Sequence, residues 1–179
     1  MIVQKIINEI IEVEGGYSDN PNDTGGKTKY GITEAVARAN GWSGDMKDLT
    51  KEFAYQVYLN QYYNIPQFNK VAELSEAIAA ELTDTAVNCG VPTACPMLQE
   101  ALNLLNRQDK DYADVLVDGH IGSNTLVALA KYLQKRGSEG EKVMLKILNI
   151  MQGSHYIRIT KSRPANEQFI YGWIANRIG

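Results

Sequence analysis

Apolar residues in the opening stretch recur at helical spacing. At about 100° per residue, Ile2, Val3, Ile6, Ile7, Ile10, Ile11 and Val13 fall on one broad arc. Gln4, Lys5, Asn8 and Glu12 fall opposite, with Glu9 near the edge. The pattern predicts an amphipathic helix from Ile2 to Val13, stopped by Gly15-Gly16. Glu14 interrupts that logic, because it projects into the middle of the apolar arc between Ile10 and Ile7. Burial there would disfavour the ionised carboxyl, and the negative end of the helix dipole pushes the same way. A carboxyl held protonated at neutral pH is what a general acid requires. A helix-end Glu that simply turns out to solvent would give the same pattern, so helix geometry alone leaves both readings open.

Residues 15–30 form a long polar loop framed by Tyr17 and Tyr30, with short strand pieces expected around Lys27 to Ile32. Thr33 is placed to cap a helix over 34–40, and Thr50 a helix running to about Tyr62. Pro66 ends that region, and Ser75 to Val87 reads as an apolar helix that stops at Asn88-Cys89-Gly90. A composition shift over Gly90 to Pro96 marks a subdomain boundary. Helical patterns resume over 96–105, from Ser123 through Leu133, and from Glu141 to about Ile159, with Gly137 to Gly140 as a flexible link. The tail from Asn166 to Ile178 is helical, with Phe169, Trp173 and Ile174 on one side. The fold class is mainly α, with at most a small β-hairpin.

Composition narrows the chemistry. The chain has 179 residues and a net charge of −3, and its basic residues are scattered, which argues against a nucleic-acid binder. No apolar run approaches the roughly 20 residues that span a bilayer. The first helix is broken by Lys5, Asn8, Glu9 and Glu12 and precedes no cleavage site, so synthesis in the cytoplasm without a signal peptide is expected. Cys89 and Cys95 match neither a CxxC pair nor a zinc site; they read as semi-buried thiols, with a disulfide closing the short loop as the alternative.

Several motifs fail on spacing. Gly26-Lys27-Thr28 resembles the end of a phosphate loop, but Pro21 stands where its first glycine belongs. The Asp- and Asn-rich stretch 19–25 lacks the terminal Glu of a calcium loop, and no metal is expected. Glu14, Asp23 and Thr28 make a more productive set. Glycoside hydrolysis needs a carboxylic acid on one side of the scissile bond and a carboxylate or activated water on the other. A helix-borne acid followed by a loop Asp and a loop Thr can provide both, although Asp23 capping a turn and Thr28 in ordinary loop bonding would leave the same sequence. Tyr55, Tyr58 and Tyr62 share a helix face that is either core or a sugar-stacking wall. Asp84 and Asn88, one turn apart, either line a cleft or cap their helix.

Glu14-Gly15-Gly16-Tyr17, followed by Asn22-Asp23-Thr24-Gly25-Gly26-Lys27-Thr28-Lys29-Tyr30-Gly31-Ile32-Thr33, closely resembles the signature of glycoside hydrolase family 108, a family of N-acetylmuramidases. Asp84 to Gly90 resembles its Asp-x-Ala-Val-Asn-x-Gly element. Leu98-Gln99, Asp118 to Gly122, and Gly172-Trp173 with Arg177 resemble its peptidoglycan-binding portion. The resemblance implies a lysozyme-like helical fold with two lobes around a glycan cleft: residues 1–90 as the muramidase lobe and 91–179 as the peptidoglycan-binding lobe. It places the general acid on Glu14. Asp23 and Thr28 then become the catalytic loop residues, and Tyr17, Tyr30, Asp84 and Asn88 the lining of the sugar site. No cofactor is implied. Bacterial peptidoglycan is the expected partner, met by a monomer in the periplasm or cell wall after passage through a holin-like pore or a dedicated exporter. A lytic transglycosylase on the same bond and a catalytically silent peptidoglycan-binding module are the alternatives. Thr24 departs from the Pro common at that place, and the acidic pI of about 5.4 is unusual for an enzyme acting on an anionic polymer.

Overall fold

The structure, a computed structural model, describes residues 2–19 and 26–179. The chain divides into two compact units, Met1–Ile65 and Pro66–Gly179.

In the first unit, helix α1 (Ile2–Glu14) buries Val3, Ile7, Ile10 and Ile11. That stripe is narrower than the arc read from the sequence: Ile2 and Val13 lie on its flank and are exposed, Val13 at 81 %. A helix resting on one neighbour covers about 100° of its circumference, which explains the difference. Strands β1 (Tyr17–Ser18), β2 (Thr28–Lys29) and β3 (Ile32–Thr33) form an antiparallel sheet in the order β1-β2-β3, one strand more than a hairpin. Helix α2 (Glu34–Ala39) starts at Thr33, whose hydroxyl accepts from Val36 N–H at 3.3 Å. Helix α3 (Lys51–Leu59) is capped in the same way by Thr50, packs on α1, and buries Ala54, Val57 and Tyr58. One π-helical turn, Asn60–Asn64, follows it.

The second unit begins with α4 (Phe68–Ala72) and α5 (Glu76–Cys89), the latter capped by Ser75. Helix α6 runs over Val91–Leu105, so it starts earlier than the expected Pro96. Pro92 sits in its first turn, where a missing N–H costs nothing, whereas Pro96 lies inside the helix. Helix α7 (Ser123–Ser162) is continuous except at Gly137, whose φ of 60° and ψ of −152° kink it. The expected link over 137–140 is therefore a one-residue break, and Gly140 is buried within the helix. Helix α8 (Glu167–Arg177) closes the chain, with Trp173 stacked between Phe169 and Tyr156 at centroid distances of 5.8 and 5.1 Å. Phe68, Ile78, Leu82, Leu98, Leu102, Leu129, Met144, Leu148 and Tyr156 form the core of this unit. No helix among the described residues is long and apolar enough to cross a membrane.

Candidate active site

Glu14 is the last residue of α1, and the chain reverses directly after it. Gly15, at φ 52°, donates its N–H to the Ile11 carbonyl at 3.1 Å and accepts from Tyr30 N–H at 3.0 Å. That second bond ties the end of the helix to the β2–β3 turn. The turn is Tyr30-Gly31 with φ values of 53° and 73°, the left-handed pair of a type I′ hairpin. Tyr is an unusual residue there, since a side chain in the left-handed region costs about 1–2 kcal/mol. Its backbone is held from both sides, by the Gly15 carbonyl and by the Tyr58 hydroxyl, which donates to the Tyr30 carbonyl at 3.1 Å.

Gly31 is where these parts meet. A Cβ there would stand 3.1 Å from Glu14 Cγ and 3.3 Å from Glu14 Cβ, and would collide with the Tyr58 hydroxyl. The turn thus packs on the stem of Glu14 while the residue as a whole remains exposed. The expectation of a buried Glu14 is corrected here. By angle it continues the stripe of Ile7, Ile10 and Ile11, but the helix ends at this residue, and Gly31 packs on its stem while the residue stays exposed. The result is a carboxylate with a fixed base and a solvated head.

Tyr58 is 8 % exposed and stacks on Tyr62 at 5.7 Å. Burial pushes its phenol up to about 12, with the Glu14 charge adding to the effect. It therefore remains a hydrogen-bond donor at any working pH. Tyr58→Phe should cost about 1 kcal/mol of stability by stranding the Tyr30 carbonyl, and should lower kcat more than it raises KM. A change confined to KM, in assays on peptidoglycan, would mean that the hydroxyl does not position the turn.

The other expected residues divide between the units. Thr28 pairs with Ser18 and Thr33, which puts these three on the sheet face opposite the buried Ile32. Its hydroxyl donates to the Gly26 carbonyl at 3.3 Å. The Tyr17 hydroxyl donates to Asp19 at 3.2 Å, with Lys47 Nζ 5.5 Å from its ring, and Lys29 Nζ lies 5.3 Å from the Tyr30 ring. Asp23 lies outside the described residues.

Asp84 and Asn88 share a face of α5 in the second unit. The Asn88 amide donates to the Asp84 carbonyl at 2.8 Å. The Asp84 carboxylate accepts from Arg177 at 2.7 Å and from Gln152 at 3.3 Å, so it joins α5 to α7 and α8. Cys89 and Cys95 are free thiols, and burial pushes Cys95 up to about 11.

Two participants escaped the reading of the sequence. Tyr58 was visible only as one member of a tyrosine stripe. Glu81 was hidden among Ile78 and Leu82, although a carboxyl inside an apolar helix is itself a signal. Burial pushes Glu81 up to about 7, the Asp84 charge adding and a hydrogen bond from Asn149 opposing, and its Oε1 is buried without a partner among the described residues. The unfolded chain releases that proton near 4.5, so between these values the native state holds more protons. Stability contributed by the bound proton is complete below about pH 4.5 and lost as pH rises through about 7. Glu81→Gln should remove about 2 kcal/mol of the fall in stability between acid and mildly alkaline pH. Denaturant titrations near pH 5 and near pH 8 check this, and an unchanged pH slope would clear Glu81 of the effect.

A carboxylate at the end of an amphipathic helix, seated against the turn of a short antiparallel sheet in a mainly helical chain, describes a lysozyme-like glycoside hydrolase. The sequence is consistent with that class. Residues 7–90 match glycosyl hydrolase 108 and residues 93–178 match a predicted peptidoglycan domain. It is also similar to SagA of Brucella abortus, at 25 % identity and a TM-score of 0.63, over 97 % of this chain and 87 % of that one. A search of curated proteins found no match. The protein is thus a glycoside hydrolase that acts on peptidoglycan.

Proposed function

We propose that the protein is an endo-acting N-acetylmuramidase that cleaves the β-1,4 bond between N-acetylmuramic acid and N-acetylglucosamine. Glu14 is the general acid that protonates the leaving oxygen. The observation that carries this reading is the seating of Glu14: its stem packs under Gly31 and its head faces solvent, where a glycan would meet it. A bound sugar would displace the water around the carboxyl and bring its leaving oxygen within reach of it. Asp23 stabilises the oxocarbenium-like transition state or positions water, with Thr28 assisting. Tyr17 and Tyr30 contact the glycan in the first unit, and Asp84 and Asn88 are the sugar-binding residues of the second. Residues 1–90 carry catalysis and 91–179 hold the wall, and the enzyme works as a monomer in the periplasm or cell wall, reached through a holin-like pore or a secretion route.

Mass spectrometry of soluble fragments from purified peptidoglycan tests the reading. Reducible muramic acid ends are expected. Anhydro ends would replace it with a lytic transglycosylase, and reducible glucosamine ends with a glucosaminidase. No fragments, with wall binding retained, would leave a silent binding module.

A further inference from the structure

Beside the kink at Gly137, a pocket of about 380 Å³ lies between α6 and α7. Leu105, Tyr132 and Val143 give it apolar walls, and Lys135, Arg136 and Glu139 line it as well. The Tyr132 hydroxyl fixes the kink by donating to the Gly140 carbonyl at 2.8 Å. Gly140 permits the tight turn, because a Cβ there would run into Arg136.

The charge around this pocket is unbalanced. Asp111, its side chain 2 % exposed, is approached by Arg107 at 2.9 Å, by Lys135 at 3.1 Å and by Arg136 at 3.4 Å. Those contacts, Arg107 first, hold its carboxyl well below the usual carboxylate range. Three cations on one carboxylate leave an excess of two positive charges, and each cation is still about half exposed. Glu139 does not cancel the excess, since Lys142 lies 3.1 Å from it. The arrangement is preformed at a cost. Arg107, Gln108 and Asp109 are three consecutive non-glycine residues at φ 57–61°. The buried Asn106 holds that segment by accepting from Asp109 N–H at 3.3 Å and donating to Asp114 at 2.5 Å.

We propose that this pocket binds the acidic stem peptide of peptidoglycan. The peptide carboxylates meet Lys135 and Arg136, and its alanine methyls rest on Leu105 and Val143. The assignment rests on peptidoglycan being the substrate. Its argument is complementarity: fixed cations above an apolar floor fit a short peptide of small side chains and free carboxylates. A nucleic acid would require a continuous basic stripe, and this protein carries a net charge of −3.

The test uses the full chain with Glu14→Gln, labelled with nitrogen-15 and titrated with four probes: free stem tetrapeptide, a disaccharide bearing that peptide, chitotetraose, and inorganic phosphate. The tetrapeptide and the peptide-bearing disaccharide should shift the amides of Leu105 and residues 135–143, and chitotetraose should leave them in place. Replacing Lys135 and Arg136 together by Ala should weaken peptide binding by about tenfold. Val143→Glu, a change at a residue 41 % exposed that removes no partner of Asp111, should do the same and carries the test if the double variant unfolds. Absent or misplaced shifts, equal shifts with phosphate alone, or unchanged affinity in a folded variant would overturn the proposal. Wild-type hydrolysis is scored separately by fragment ends. Peptide binding without muramic acid ends would retain this site and remove the muramidase reading; muramic acid ends without peptide binding would do the reverse.

Discussion

Glu14→Gln should reduce release of reducible muramic acid ends by about a thousandfold or more, within the range general acid catalysis contributes, while the protein folds as before. Both halves of this expectation come from the same geometry. The residue is exposed, so exchanging its head group for an amide disturbs no buried partner and should move stability by less than about 0.5 kcal/mol. Gln has the same stem, so packing under Gly31 is kept. What is lost is the transferable proton. Denaturation midpoints should coincide, and binding to insoluble peptidoglycan should persist. If the variant retained more than about a tenth of wild-type turnover, another group would have to supply the proton.

The sequence located this residue through helix periodicity, and that part was legible because the spacing of Ile7, Ile10 and Ile11 fixes the direction in which position 14 points. Its solvation was not legible. Exposure at a helix end depends on what folds back over it, and a glycine in a turn seventeen residues downstream approaches this one. The helix starts at Thr33, Thr50 and Ser75 were readable for a local reason: each hydroxyl reaches the N–H three residues on, at 3.3, 3.1 and 3.1 Å. The start of α6 was misjudged because Pro92 and Pro96 signal a break in most contexts, whereas Pro92 falls in the first turn, where no N–H is needed, and Pro96 lies inside the helix without ending it. Long-range partners stayed hidden. The bond from Tyr58 to Tyr30 and the ion pair of Asp84 with Arg177 join distant segments, and no periodicity reports such pairings. The sequence motif shared with the family included Gly31 but could not say what it touches.

Gly31→Ala should therefore be the most damaging small substitution outside Glu14 itself. The residue sits at φ 73°, where any L side chain costs about 1–2 kcal/mol. The added methyl would also collide with the Tyr58 hydroxyl and press on Glu14 at 3.1 Å. Relief is available only by moving the phenol, which breaks its bond to the Tyr30 carbonyl, or by moving the carboxylate. Either motion displaces the general acid, and a displacement of about 1 Å is worth roughly a hundredfold in rate. Gly26→Ala separates strain from collision. Gly26 has a similar φ of 65°, but a Cβ there meets nothing within 4 Å among the described residues. It should lose about as much stability from backbone strain alone and keep most of its activity. The Gly31→Ala variant combined with Tyr58→Phe closes the cycle: removing the hydroxyl takes away the worst contact, so the two changes should cost less together than the sum of each alone. Strict additivity in denaturant titrations, or equal kcat for the two alanine variants, would mean that the close approach at Gly31 does not set the position of Glu14.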